Sequence, residues 1–132
     1  MDEKRQKYCQ VVASKRINSL LGGPITEAYY IQGINTMREL EINFNDPDYK
    51  TAYLIRSFQL ATMKNYLPYN IIHDTMMLCG IIKLSIFWTS IKKISHILLK
   101  SDTHTLERVK IEKILEKNGF FKYLDKRKNN QN

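Results

Sequence analysis

The stretch "NIIHDTMMLCGIIKLSIFWTSIKKISHILLK", Asn70 to Lys100, constrains this chain more than any other, because it is apolar on nearly every side of a helix. Such a segment is either the central helix of a compact bundle or a membrane span. Lys83 lies mid-segment, His73 and Asp74 precede it, and Lys92 and Lys93 follow. A lysine at a bilayer centre costs about 2.5 to 3.5 kcal/mol on insertion scales, and the run from Thr75 to Lys83 is too short to span. The expectation is therefore a buried central helix, with the membrane reading set aside. Trp88, on a stripe with Ile81, Leu84 and Ile91, is expected to be buried, and Lys83 to have a packing or local pairing role.

The rest of the chain also reads as helices. Cys9, Val12, Ala13, Ile17 and Leu20 recur at helical spacing, and the "GGP" of Gly22 to Pro24 predicts a stop, giving a first helix from about Asp2 to Leu21. Tyr30, Ile34 and Met37 suggest a second helix capped by Thr26. Asp46, Pro47 and Asp48 form the clearest start signal, opening a third helix that should turn Leu54, Ile55, Phe58 and Ala61 inward and end near Leu67, before Pro68. A closing helix from about Leu106 to Lys117 has Thr105 as cap, Ile111, Ile114 and Leu115 as inner face, and Gly119 as a left-handed stop. The fold class predicted is all-α: a compact domain of about five helices around the long central one, residues 1–124, followed by a basic, disordered tail over 125–132.

Catalysis requires convergent groups, and few are available. His73 and Asp74 are adjacent, but neighbours on a helix point about 100° apart, and only His96 and His104 remain as further imidazoles. Asp74 is explained by the dipole of a solvated first helical turn. Cys9 and Cys79 match no metal or redox spacing, and Cys79 falls in apolar surroundings that make a thiol inert. "LLGGP" has no lysine and serine after it, so it is no phosphate loop. The chain is expected not to be an enzyme, and to need neither metal nor cofactor. The charged opening "MDEKRQKYCQ" has no apolar stretch of the kind a secretion signal carries, which suggests an intracellular protein of cytoplasm or nucleus.

Charge is more suggestive. With 21 Lys plus Arg against 13 Asp plus Glu, the formal net charge is +8, a balance that favours polyanionic partners. Lys4, Arg5, Lys15 and Arg16 crowd the first helix, Lys92 and Lys93 the end of the central one, and Lys126, Arg127 and Lys128 the tail. These nine residues are the candidates for sequence-tolerant phosphate contacts with nucleic acid. In the alternative reading the chain is a regulatory or assembly factor, of viral origin among other sources, that binds protein, and its charge only keeps it soluble.

The closing "THTLERVKIEKILEKNGFFKYL" resembles the end of the histone fold in heterodimeric transcription and chromatin subunits of the nuclear factor Y kind. Thr105 and Leu106 take the place of the turn, Ile111, Ile114 and Leu115 that of the short helix, and Gly119 and Phe120 that of the step after it. Tyr123 and Leu124 resemble the added terminal helix, and "FQLATMKNYLP" a shortened first helix. The resemblance implies DNA binding as half of a histone-like dimer. It covers roughly the last half of the chain, and Lys110 stands where that family usually has the aspartate of an ion pair with a loop arginine. A homo- or hetero-oligomer is expected on physical grounds as well, because a segment apolar on all sides is hard to cover with three amphipathic helices and a short end piece.

Overall fold

The computed structural model describes residues 2–62 and 70–130. The described residues are all-helical, with no strand, and run α1 (Glu3–Gln32), α2 (Pro47–Thr62), α3 (Ile71–Ile82), α4 (Ser85–Lys100), α5 (Arg108–Lys117) and α6 (Phe120–Asn130). These are six helices where the sequence suggested about five. Contacts gather the chain into two compact units, Met1–Gly80 and Ile81–Asn132.

In the first unit, the Asp2 carboxylate caps α1 by accepting from the Arg5 amide at 2.8 Å. The expected stop at Gly22 to Pro24 is corrected: α1 runs through it to Gln32, with Pro24 buried inside the helix. Local propensity opposes this by about 5 kcal/mol, roughly 1 for each glycine and 3 for the proline. The opposing term is a stripe that continues past the break, where Ile17, Leu20 and Leu21 are followed by Ile25, Ala28 and Tyr29, all buried. Each large side chain so buried contributes roughly 1.5 to 3 kcal/mol, enough to offset the penalty. The helix ends instead at Gly33, whose φ of 91° suits glycine and whose amide donates to the Tyr29 carbonyl at 2.8 Å. No second helix forms over Ile34 and Met37; the Gln32 side chain braces that loop by accepting from the Glu41 amide at 2.6 Å.

Helix α2 opens at Pro47 as predicted, with the Asp46 carboxylate accepting from the amides of Asp48 (2.9 Å) and Tyr49 (3.3 Å). Its expected end near Leu67 lies outside the described residues. Its inner face is a correction, because α2 packs on α1 through Tyr49, Ala52, Arg56 and Gln59, while Leu54 and Phe58 are 66% and 71% exposed and Ala61 is exposed too. Steps of three, four and three put those four residues on one stripe, and the small Ala52 permits close approach to α1.

The single long central helix is also corrected. It breaks at Lys83 and Leu84, the latter extended at φ −60°, ψ 134°, to give α3 and α4. A continuous helix buried on all sides would have had to bury the Lys83 ammonium, whereas at the break Lys83 is exposed. Trp88 is half-buried, not buried as expected.

In the second unit α4 packs on α5 and α6. Phe87 and Phe120 meet edge to face at 4.9 Å, and Phe120 and Phe121 at 5.8 Å. Helix α5 starts at Arg108 rather than Leu106, because the Thr105 hydroxyl is engaged with that of Thr103 at 2.7 Å and caps nothing. Gly119, at φ 76°, supplies the left-handed stop that was predicted. Residues 125–130, expected as an irregular tail, are helical and exposed in α6.

Candidate nucleic-acid interface

The two units divide the charge very unequally. Residues 81–132 hold twelve Lys plus Arg against five Asp plus Glu, so they carry +7 of the net +8, and residues 1–80 carry the remaining +1. All nine candidate cations are exposed. In the first unit, Lys4 and Lys15 are eleven residues apart and so face one way at 100° per residue, as do Arg5 and Arg16. Arg5 lies 3.7 Å from the Asp2 carboxylate, which partly neutralises it.

In the second unit three of the cations, Lys92, Lys93 and Lys117, line a groove. An open cavity of about 740 Å³ lies between α4 and α5, lined by Trp88, Thr89, Lys92, Lys93, His96, Ile97, Ile114 and Lys117. Its floor is apolar and its rim cationic. Lys92 and Lys93 were predicted site residues. Trp88 and His96 were not, although steps of four put them on one stripe of α4 with Lys92. Lys117 was not either, because its approach depends on how α5 returns along α4. Lys126, Arg127 and Lys128 lie on α6 and do not line this groove.

Asn118 ties the two walls together. As the C-cap of α5 it donates from its side-chain amide to Ser90 Oγ at 2.7 Å and to the Ile86 carbonyl at 3.4 Å, both on α4. Its Oδ1 accepts from Lys93 Nζ at 2.9 Å. Ser90, buried, in turn donates to the Ile86 carbonyl at 2.7 Å. One ammonium of the rim is thereby held in a fixed place by neutral partners, which leaves its charge unneutralised.

A different polar cluster sits inside the first unit and was missed from sequence. Arg56, 2% exposed, donates from Nε and Nη2 to the two oxygens of Asp74, each at 2.8 Å, from Nη1 to Gln59 Oε1 at 2.7 Å, and from Nη2 to Ser14 Oγ at 3.4 Å. This fork-to-fork pair joins α2 to α3 and touches α1. Asp74 is thus a partly buried ion-pair member, not a solvated first-turn residue, and its Arg56 partner is not available to a ligand. The one signal in the sequence was the spacing of Arg56 and Gln59 with Tyr49 and Ala52. His73 is exposed, with its backbone amide donating to Asn70 Oδ1 at 3.0 Å.

Burial pushes the Cys79 thiol above its usual range, an effect reduced in part by a hydrogen bond with Tyr29, whose phenol is raised by burial and then by Cys79. Among the described residues no group of three or more His, Cys, Asp or Glu could hold a metal ion. No single described helix is long and apolar enough to cross a membrane, and α3 and α4 pass that test only when taken together across their break. Comparison with known protein families, curated proteins and solved structures finds no match to this chain.

Proposed function

We propose that this chain is a non-enzymatic, basic helical protein that binds nucleic acid through sequence-tolerant phosphate contacts made mainly by its second unit. The observation that carries this reading is the concentration of +7 on residues 81–132, with Lys92, Lys93, Lys126, Arg127 and Lys128 all exposed. A cationic surface of that density attracts a phosphate backbone and gains free energy by releasing its condensed counterions. Lys4, Arg5, Lys15 and Arg16 add a secondary contact in a unit whose net charge is small.

The test is the salt dependence of binding to duplex DNA. Log affinity is expected to fall linearly with log salt at a slope of about −0.9 per neutralised phosphate. Replacing Lys126, Arg127 and Lys128 with alanine should lower the magnitude of that slope by up to about 2.7. Replacing the four α1 cations should lower it less. Absence of binding at low salt refutes the reading.

A protein partner is the second reading, favoured by the exposed side chains of Tyr30, Ile31, Leu54, Phe58, Met76 and Met77 in the first unit. A histone-like dimer belongs instead to the nucleic-acid reading, and sedimentation of the purified protein tests whether the chain self-associates. An intracellular setting accords with two free cysteines, Cys9 and Cys79.

A further inference from the structure

We infer that the groove between α4 and α5 takes single-stranded nucleic acid, with a base stacked on Trp88 and flanking phosphates held by Lys92, Lys93 and Lys117. This rests on the reading that the second unit binds nucleic acid, and it names the strand form and the seat.

The groove has two properties that a purely phosphate-binding surface does not need. Its floor is apolar, made by Trp88, Ile97 and Ile114, and its cations come from both walls, Lys92 and Lys93 from α4 and Lys117 from α5. Duplex DNA hides the faces of its bases and presents phosphates alone to such a surface. An unpaired strand presents both, and an aromatic ring beside cations is the arrangement that binds it without reading sequence. The volume, about 740 Å³, falls within the roughly 300 to 1,000 Å³ of small-ligand clefts. A duplex cannot enter a cleft of that size, whereas a base and its sugar can.

The rim is also preorganised. Lys93 Nζ is held 2.9 Å from Asn118 Oδ1, and Asn118 is itself anchored to Ser90 Oγ at 2.7 Å. A lysine already fixed in place loses less side-chain entropy when a phosphate arrives. Asn118 sets the distance between the walls and is a positioning residue for the site.

Trp88 is the sole tryptophan of the chain, so its emission reports on the surroundings of this one side chain. The full chain is titrated at low salt with short end-labelled oligothymidylate and, in parallel, with duplex of equal length, following label anisotropy and Trp88 emission together. Oligothymidylate is expected to quench Trp88 saturably and to bind more tightly than the duplex, which should leave the emission unchanged. Trp88→Leu should weaken single-strand binding by about 5- to 150-fold, the range of one stacked base, without changing the salt slope, and Trp88→Phe should restore most of the loss. If Trp88→Leu does not fold by circular dichroism, quenching of the unmodified chain still decides. Equal anisotropy changes with both strand forms and no quenching overturn this inference while leaving the proposed function standing. No anisotropy change with either overturns both. A change in Trp88 emission with a glutamate-rich peptide or phosphatidylserine vesicles, and none with oligothymidylate, overturns it in favour of another occupant.

Discussion

The first unit, Met1–Gly80, keeps its strength inside and is nearly neutral; the second, Ile81–Asn132, carries nearly all the net charge and buries very little. Among the described residues the first unit buries Ile17, Leu21, Ile25 and Ala52 completely, together with the Arg56 guanidinium, whereas Ile82 and Ser90 are the buried residues of the second. A unit of about fifty residues has little volume in which to bury a core. It is held by the Phe87–Phe120 contact and the bonds of Asn118, which cost little surface and leave the cations of α4, α5 and α6 in solvent. A small basic helical unit can thus be ordered by a few directed contacts. The difference also shows that exposed apolar residues and exposed charge need not serve the same partner, since the former are most prominent in the first unit and the latter in the second.

The sharpest way to break this contrast is at the buried ion pair. Arg56→Met should cost about 3 to 5 kcal/mol in urea unfolding, because it leaves the Asp74 carboxylate with its main partner gone, while Arg56→Met with Asp74→Leu should recover most of that loss. A single variant that costs under about 1 kcal/mol would mean that the pair is solvated and that the first unit has no polar core.

Core truncation gives the next effect. Leu21→Ala, at a fully buried site, should cost about 2 to 5 kcal/mol, and Ile91→Ala, half-buried on α4, about half as much. Native-state hydrogen exchange on both variants separates the units, since the first loss should appear in α1 and α2 amides and the second in α4 and α5. Equal losses would erase the difference between the two interiors.

Smaller, and of opposite sign, is the change at the helix interior where a stop was expected. An added Cβ at Gly22 or Gly23 meets no atom within 4 Å. Gly22→Ala with Gly23→Ala should therefore raise stability by about 1 to 2 kcal/mol in thermal or urea unfolding. A loss would show that α1 turns at the "GGP" after all. The same change at Gly33, where φ is 91°, should destabilise.

The smallest effect is expected on the exposed face of α2. Leu54→Gln should alter unfolding of the isolated chain by no more than about 0.5 kcal/mol, since the side chain is 66% exposed and glutamine suits a helix. A cost several times larger, dependent on protein concentration, would show that the face is covered by a second copy.

What could be read from the sequence were features whose causes are local. Helix content, the Asp46–Pro47 start and the Gly119 stop depend on residues within one turn of each other, and all are found. Net charge likewise follows from composition alone. Tertiary structure decided everything that depends on which atoms lie across the way. It carried α1 through two glycines and a proline, because a buried stripe outweighs local propensity. It turned the Tyr49–Ala52–Arg56 side of α2 inward in preference to the more apolar Leu54–Phe58 side, because Asp74 on α3 neutralises the arginine that this orientation buries. It broke the apolar segment at Lys83 and left that ammonium in water. Most of all it brought Lys117 of α5 to the groove that Trp88 and Lys92 of α4 also line, residues separated by a loop and a helix in the chain, since a groove belongs to two elements and no spacing within one of them encodes it.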